Sequence, residues 1–464
     1  MKNALKYLVL SSMAFALGCS APSAEQLDKK EVSKIELTLP DSVFFWAHVA
    51  PVVFENCTPC HHENGAGPFP LTSYLDLKKR SKTIRYVIAD GYMPPWPADT
   101  SYSRFKGEKT LTAYERGIVI KWIDQGGQEG EIPSKMPEPT ILTEKNLGKP
   151  DLVLRFPEAV EIEGNNRDKF LVAKLPFELD GDTVVKALYF KPGNKQLIHH
   201  VNGHLANYTF GKKSDVHSGE WIQDAERVGS PQIYDVMEIA HDDGTFPPLL
   251  VSAFNYLPGV EPLAYPDGIG GAFLKRKGAF LLNTLHYGPS PKDTTDQSEI
   301  HIYFAEKRPS RPTSEIHMGT LGVSPVKPDF VIPADSISQF TTRYKVKEDI
   351  SVLTLNPHMH LLGKTFTAFA VSPDKKDTIP LIHIPEWDFR WQYFYTFERM
   401  LKVPKGYEIV AEAVFDNTMQ NPFNPNIPPI TMKSAGAHMK TTDEMFQFFI
   451  TYVPFRSGDE NIKL

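Results

Sequence analysis

From Asp151 to its C-terminus, this chain of 464 residues offers almost no helical periodicity. Short runs rich in β-branched and aromatic residues (183–190, 280–286, 299–304, 351–355, 365–371 and 446–453) alternate with Pro, Gly and Asp turns. Prolines scattered at this density forbid long helices, because each lacks a backbone N–H and pushes its predecessor toward extended backbone. The pattern predicts antiparallel sheets closed into sandwiches or barrels. The stretch is too long for one such unit, and a Pro-rich segment near 310–330 divides it. Two β-domains are expected, 150–325 and 326–464, with no internal repeat visible between them.

Upstream, residues 44–127 carry the helical signals. Thr112-Ala113-Tyr114-Glu115 fits a capping box, and Ile118, Val119, Trp122 and Ile123 recur at helical spacing until Gly126-Gly127 stops the run. A small all-α domain over 41–128 is expected, followed by a Gly/Pro/charge-rich linker over 129–149. At the extreme N-terminus, Lys2 and Lys6 precede an apolar run over 8–17 and the small-residue site Ala16-Leu17-Gly18-Cys19. This segment resembles a bacterial lipoprotein signal over 1–19, which implies a lipidated Cys19 and a polar tether over 20–40. An exported protein is expected, lipid-anchored to a membrane on its periplasmic or cell-surface side. A formal charge of −6 and a pI near 6.2 leave no basic field, which excludes nucleic acid as a partner.

Only three cysteines are present, so no disulfide framework holds the core. Cys57-Thr58-Pro59-Cys60-His61 has the C-x-x-C-H spacing in which two thiols add across haem vinyl groups and the adjacent imidazole becomes an axial ligand. Met93, just before Pro94-Pro95, supplies a thioether on an extended loop for the second axial position. One covalent haem c is expected, with Cys57, Cys60, His61 and Met93 as its residues. The segment resembles the mono-haem cytochrome c family.

Three histidine motifs stand in the β-rich region: Ile198-His199-His200-Val201, Leu285-His286-Tyr287-Gly288 and Asn356-Pro357-His358-Met359-His360. Alternate residues of a strand share a face, so His358 and His360 make a half-site for copper or zinc. Adjacent His199 and His200 diverge on a regular strand and meet at one ion only where the strand twists or bulges. On stereochemistry alone His200 with His204 is an equally good pair.

Residues 150–464 resemble the copper type II, ascorbate-dependent monooxygenases, the family of dopamine β-monooxygenase and peptidylglycine α-hydroxylating monooxygenase. The motifs are 195–201 (KQLIHHV), 285–288 (LHYG), 358–364 (HMHLLGK) and 442–445 (TDEM). The resemblance implies two β-sandwiches, jelly-roll-like, with two copper ions facing each other across a solvent-filled cleft. It implies His199, His200 and His286 for an electron-transfer copper, and His358, His360 and Met445 for the oxygen-binding copper and its catalysis. A thioether favours Cu(I), the form that meets O₂. The implied reaction is hydroxylation of a C–H bond of a small organic substrate by O₂. Its electrons would come from a periplasmic donor or ascorbate-like reductant through the haem. An alternative is a haem/copper electron-transfer lipoprotein without monooxygenase activity.

The chain departs from the family at three places. Asn356 stands where the peptide-hydroxylating enzyme has an arginine for the substrate carboxylate, and Gln447 and Phe449 replace an asparagine and a tyrosine. A C-terminal peptide glycine is therefore not the expected substrate. Met419, Met432 and Met439 compete with Met445 by proximity in sequence. The aromatic run 387–397 is read as sandwich core. His204, His217, His241, His301, His317, His383 and His438 are read as satisfied surface or core residues.

Overall fold

The computed structural model describes residues 38–141, 147–228, 230–433 and 442–464. The segments carrying Cys19, His438 and Met439 lie outside the described residues. Residues 41–464 form one compact unit.

Two pairs of antiparallel sheets make up the bulk of that unit. In the first pair, one sheet runs Ile222–Asp224, Lys169–Glu178, Lys277–Tyr287, Ile198–Asn207, Leu249–Tyr256. The facing sheet is centred on Glu299–Phe304 and Thr183–Lys191. Leu171, Leu175 and Phe177 from one sheet meet Val185, Leu188, Phe190 and Ile302 from the other in a single buried core. In the second pair, Ser314–Gly319, Phe446–Pro454, Ile350–Met359 and Tyr395–Val403 form one sheet. Its partner is built on Ser336–Lys345, Glu408–Asn417 and Gly363–Val371. Val352, Leu355, Phe446 and Phe448 pack there against Phe340, Phe366, Ala411 and Ala413. Gly363–Val371 alternates buried and partly exposed positions, the signature of a strand with one covered face.

The expected fold class, a small all-α cytochrome c domain followed by two all-β domains, is corrected by the structure. Among the described residues the protein is mostly β, with 38% of them in strands and 12% in helices, and they show no all-α cytochrome c domain toward the N-terminus. Helices Ala50–Asn56, Tyr74–Ala89 and Ala113–Asp124 do form. The last is closed by the capping box: Thr112 Oγ1 accepts from the Glu115 N–H at 3.2 Å, and Glu115 Oε2 accepts from the Thr112 N–H at 2.8 Å. What fails is autonomy. The irregular stretch between the last two helices is sewn into the C-terminal sheets: the Asp99 N–H donates to the His383 carbonyl at 2.8 Å, and the Lys106 N–H to that of Thr396 at 2.7 Å. Phe105 forms an antiparallel bridge with Phe397, and Ala98 and Phe105 are buried in the same core as Phe340 and Phe446. Capping and amphipathic spacing are local rules; whether a helical segment owns its core is decided by residues hundreds of positions away.

Candidate metal centres

Strands Ile198–Asn207 and Lys277–Tyr287 run antiparallel, and their ladder pairs His286 with His200 and then Tyr287 with Ile198, skipping His199. That one-residue irregularity is the bulge an adjacent histidine pair needs, because the extra residue breaks the alternation of faces. The His199 and His200 rings each lie 4.9 Å from the His286 ring. His286 Nδ1 is 3.3 Å from His200 Nδ1. Gly288 belongs to the same geometry: a Cβ there would stand 2.3 Å from His199 Nε2, so no other residue fits without moving the ring.

Asp168, which no sequence motif singled out, joins this group. Its Oδ1 is 2.7 Å from His286 Nε2. Ligand atoms of Asp168, His199 and His286 all lie within 4.8 Å of one another. The hydrogen bond from His286 holds the Asp168 carboxyl below its usual range. The carboxylate is thus charged and close enough to offset the charge of a bound cation. Asp168→Asn is expected to weaken copper(II) binding about 10–100-fold, with a smaller loss for copper(I), in a competitive chelator titration. Equal affinities for the variant and the parent would remove Asp168 from the site.

The second cluster is carried by the end of strand Ile350–Met359. His358 and His360 present their rings 5.1 Å apart and nearly perpendicular. Each ring is held through its Nδ1. His360 Nδ1 donates to the Asp443 carbonyl at 3.0 Å. His358 Nδ1 donates to Gln392 Oε1 at 2.5 Å, and Gln392 Nε2 in turn donates to the Phe389 carbonyl at 2.9 Å, which fixes the amide's orientation. Both rings therefore carry their lone pair on Nε2, the tautomer a metal ligand requires. Met445 is 2% exposed and lines the same cavity as both rings. Its neighbour Glu444 is fully buried and accepts from the N–H groups of His360 at 2.6 Å, Met445 at 2.8 Å and Leu362 at 2.9 Å. That carboxyl clasps the H-x-H strand end to the thioether segment.

The two clusters are bridged by one aromatic ring. Phe389 lies 5.8 Å from the His200 ring and 5.7 Å from the His360 ring. Where the family resemblance implies an open, solvent-filled cleft, this chain places a phenyl group between the two histidine clusters. In the rest of the 387–397 run Trp387, Tyr393, Tyr395 and Phe397 are buried as core, while Trp391 and Phe394 are partly exposed and line cavities.

Electrostatically the clusters are apolar traps for neutral imidazole. Burial, with His286 adding to it, lowers His199 to about 4, and burial with His360 lowers His358 to about 3. Burial pushes His200 far down and His204 to about 4. An unfolded chain protonates these rings near 6.5 while the folded one does not. Stability is thus fully present above that pH and is lost as pH falls toward the folded values. Metal-free protein is expected to lose up to ~1.4 kcal/mol per pH unit for each of the fully buried rings between about pH 6 and 4, read by urea unfolding at fixed pH. A flat profile over that range would show the rings to be solvated.

The C-x-x-C-H residues gather around a separate cavity of about 340 Å³. Cys57 follows helix Ala50–Asn56, and Cys57, Cys60, His61 and Met93 all line the space. His61 Nδ1 donates to the Phe69 carbonyl at 3.0 Å, again placing the lone pair on Nε2. Gly67 makes the close approach possible, since a Cβ there would meet the His61 ring at 2.5 Å. Burial pushes the Cys57 thiol up to about 12, and raises Cys60 as well. In the unliganded protein both are therefore thiols rather than thiolates. The residues fit a covalently held haem. The same cavity is also lined by Lys195, Ile198, His199 and Trp391.

Residues 322–461 match the family described as copper type II ascorbate-dependent monooxygenase, C-terminal domain. No curated protein matches the chain. Among solved structures, the chain is similar at 9% identity to the VP2 subviral particle of infectious bursal disease virus, covering 68% of this chain and 74% of that one with a TM-score of 0.18. The structure of the Gt strain of the same virus is likewise 9% identical, over 71% of this chain and 77% of that one, with a TM-score of 0.17. Likeness at that level carries no inference about fold or function.

Proposed function

We propose that this chain, a copper-dependent monooxygenase by its matched C-terminal region, hydroxylates a small organic substrate with electrons that enter beside His199 from a haem held by Cys57, Cys60, His61 and Met93. The family implies O₂, a substrate and an ascorbate-like reductant. Bound copper supplies one-electron redox chemistry and O₂ reduction, and haem supplies one-electron transfer.

The observation that carries the reading is the shared cavity wall. His199 lines the same space as Cys57, Cys60, His61 and Met93, so the C-x-x-C-H segment and the H-H motif need no intervening protein layer. His199, His200 and His286, with Asp168 beside them, would hold the copper that accepts electrons. His358, His360 and Met445 would hold the copper that meets O₂, because they line the larger cavity of about 490 Å³ and the other three do not. The Phe389 ring stands within 6 Å of both His200 and His360. The export signal and lipidation at Cys19 belong to this reading as well: a haem c is attached outside the cytoplasm, and an anchored enzyme there meets a periplasmic donor.

The test uses the full-length protein with its haem reduced and copper(II) added without air, followed at the haem absorption bands. Expected is oxidation of about one haem per copper reduced, and its loss in His199→Ala protein of equal haem content. Haem that stays reduced in the parent protein would overturn the proposed electron path, as would protein purified from a haem-attaching host without iron.

A further inference from the structure

The segment that carries Met93 leaves helix Tyr74–Ala89 and runs onto the C-terminal sheets, so its position is settled from both sides. Its upstream end is tied to the helix: the Gly91 N–H donates to the Ile88 carbonyl at 3.3 Å, and the Met93 N–H to that of Val87 at 3.0 Å. The residues flanking Met93 find their partners in one distant loop. Arg390 Nη1 donates to the Tyr92 hydroxyl at 3.2 Å, with the guanidinium 5.4 Å from the centre of the Tyr92 ring. The Tyr393 hydroxyl donates to the Pro95 carbonyl at 2.8 Å. Each contact spans 298 positions, and together they bracket Met93.

The loop that supplies these partners is itself firmly built. Asp388 accepts from Arg390 Nε at 2.9 Å and from Nη2 at 2.5 Å, a forked ion pair that leaves Nη1 for Tyr92. The guanidinium also lies 5.8 Å from the centre of the Phe423 ring. Tyr393 is buried and its ring packs 5.2 Å from that of Trp96. Trp391, between the two bracketing residues, lines the same cavity as Met93. From the same loop Phe389 stands between His200 and His360, and Gln392 accepts from His358 Nδ1. Tyr92 is 42% exposed, so the Arg390 contact covers little apolar surface and adds little to stability. What it supplies is placement.

We infer that Arg390 and Tyr393 are positioning residues that hold the Met93 thioether at the wall of the C-x-x-C-H cavity, so that haem bound there keeps its second axial ligand. The inference rests on the haem reading of Cys57, Cys60, His61 and Met93. It gives the 388–393 loop a single task at two places: the segment that orients His358 through Gln392 also fixes the methionine on the electron-supplying side. Arginine suits the first position because its fork grips Asp388 and still has a donor to spare, which a lysine ammonium does with far less directional hold.

The test uses full-length protein carrying its haem, reduced and titrated with carbon monoxide, which takes the iron only where Met93 gives way. Arg390→Leu and Tyr393→Phe are each expected to bind carbon monoxide about tenfold more tightly than the parent, and Arg390→Lys to fall between. Parental affinity in both variants overturns the inference. An equal gain in Arg399→Leu does so too, because that guanidinium donates to the Asn461 carbonyl at 2.8 Å, outside the loop, and its effect would be general loosening. Hydrogen exchange on the same proteins gives a second reading that needs no haem. The Gly91 and Met93 amides are expected to exchange about tenfold faster in Arg390→Leu, and unchanged exchange also overturns the inference. Failure of the haem reading is seen separately: protein that purifies without iron but shows the faster exchange loses the haem and keeps the clamp.

Discussion

Glu444→Ala is expected to destabilise the protein by about 3–5 kcal/mol, because it strips the acceptor from three buried backbone N–H groups at once. Burial raises the Glu444 carboxyl to about 8 against the pull of those donors, so near neutral pH it accepts the three N–H groups largely as the neutral acid. The expected signature is a lower urea midpoint at unchanged slope. Copper held by His358, His360 and Met445 should be lost with it, since the clasp ties the H-x-H strand end to the methionine. Glu444→Gln keeps the shape and one acceptor oxygen, and is expected to lose less than half as much. A variant with parental stability and copper content would show that the three contacts are incidental.

His358→Ala is expected to halve the copper content, from about two ions per chain to about one, and to bring reductant-driven hydroxylation to the level of copper-free protein. The remaining ion should show the behaviour of a site with three imidazoles, because His199, His200 and His286 stand beyond Phe389 and depend on other supports. His241→Ala is the matched control: both of its nitrogens are occupied within its own loop, so the copper content should stay at the parental value. Elemental analysis of copper-equilibrated, desalted protein reads both outcomes. Retention of the full copper content in His358→Ala would move the oxygen-binding site elsewhere, and Met445 would revert to a core residue.

How much of the site could be read in the sequence depended on the range of the interaction. The H-x-H pair was legible because a strand's two-residue period places His358 and His360 together whatever the rest of the chain does. The capping box at Thr112 was legible for the same reason: all of its atoms lie within four residues. The H-H pair was legible only as a condition, since a bulge is a property of two strands in register and His199 is skipped only against Lys277–Tyr287. Asp168, Gln392 and Phe389 left no local signal; Asp168 reaches His286 across 118 positions, and Gln392 reaches His358 across 34.

The misreading of the N-terminal segment has the same origin. Amphipathic spacing and C-x-x-C-H spacing are local, and they suggested a helical domain closed on itself. Phe105 and Ala98 instead complete a β-core whose strand residues start at Ile316. His204 and His317 show the converse case. Nothing in their sequence neighbourhoods separates them from His241, yet they line the larger cavity while His241 is satisfied within its own loop. By itself the chain's sequence determined strand against helix, the short-range motifs and the types of ligand available, because propensity, periodicity and donor chemistry act within a few residues. Tertiary structure alone decided which of those side chains converge, what holds their tautomers and which of them line a cavity, because desolvation and hydrogen-bond satisfaction are settled between strands that the sequence keeps far apart.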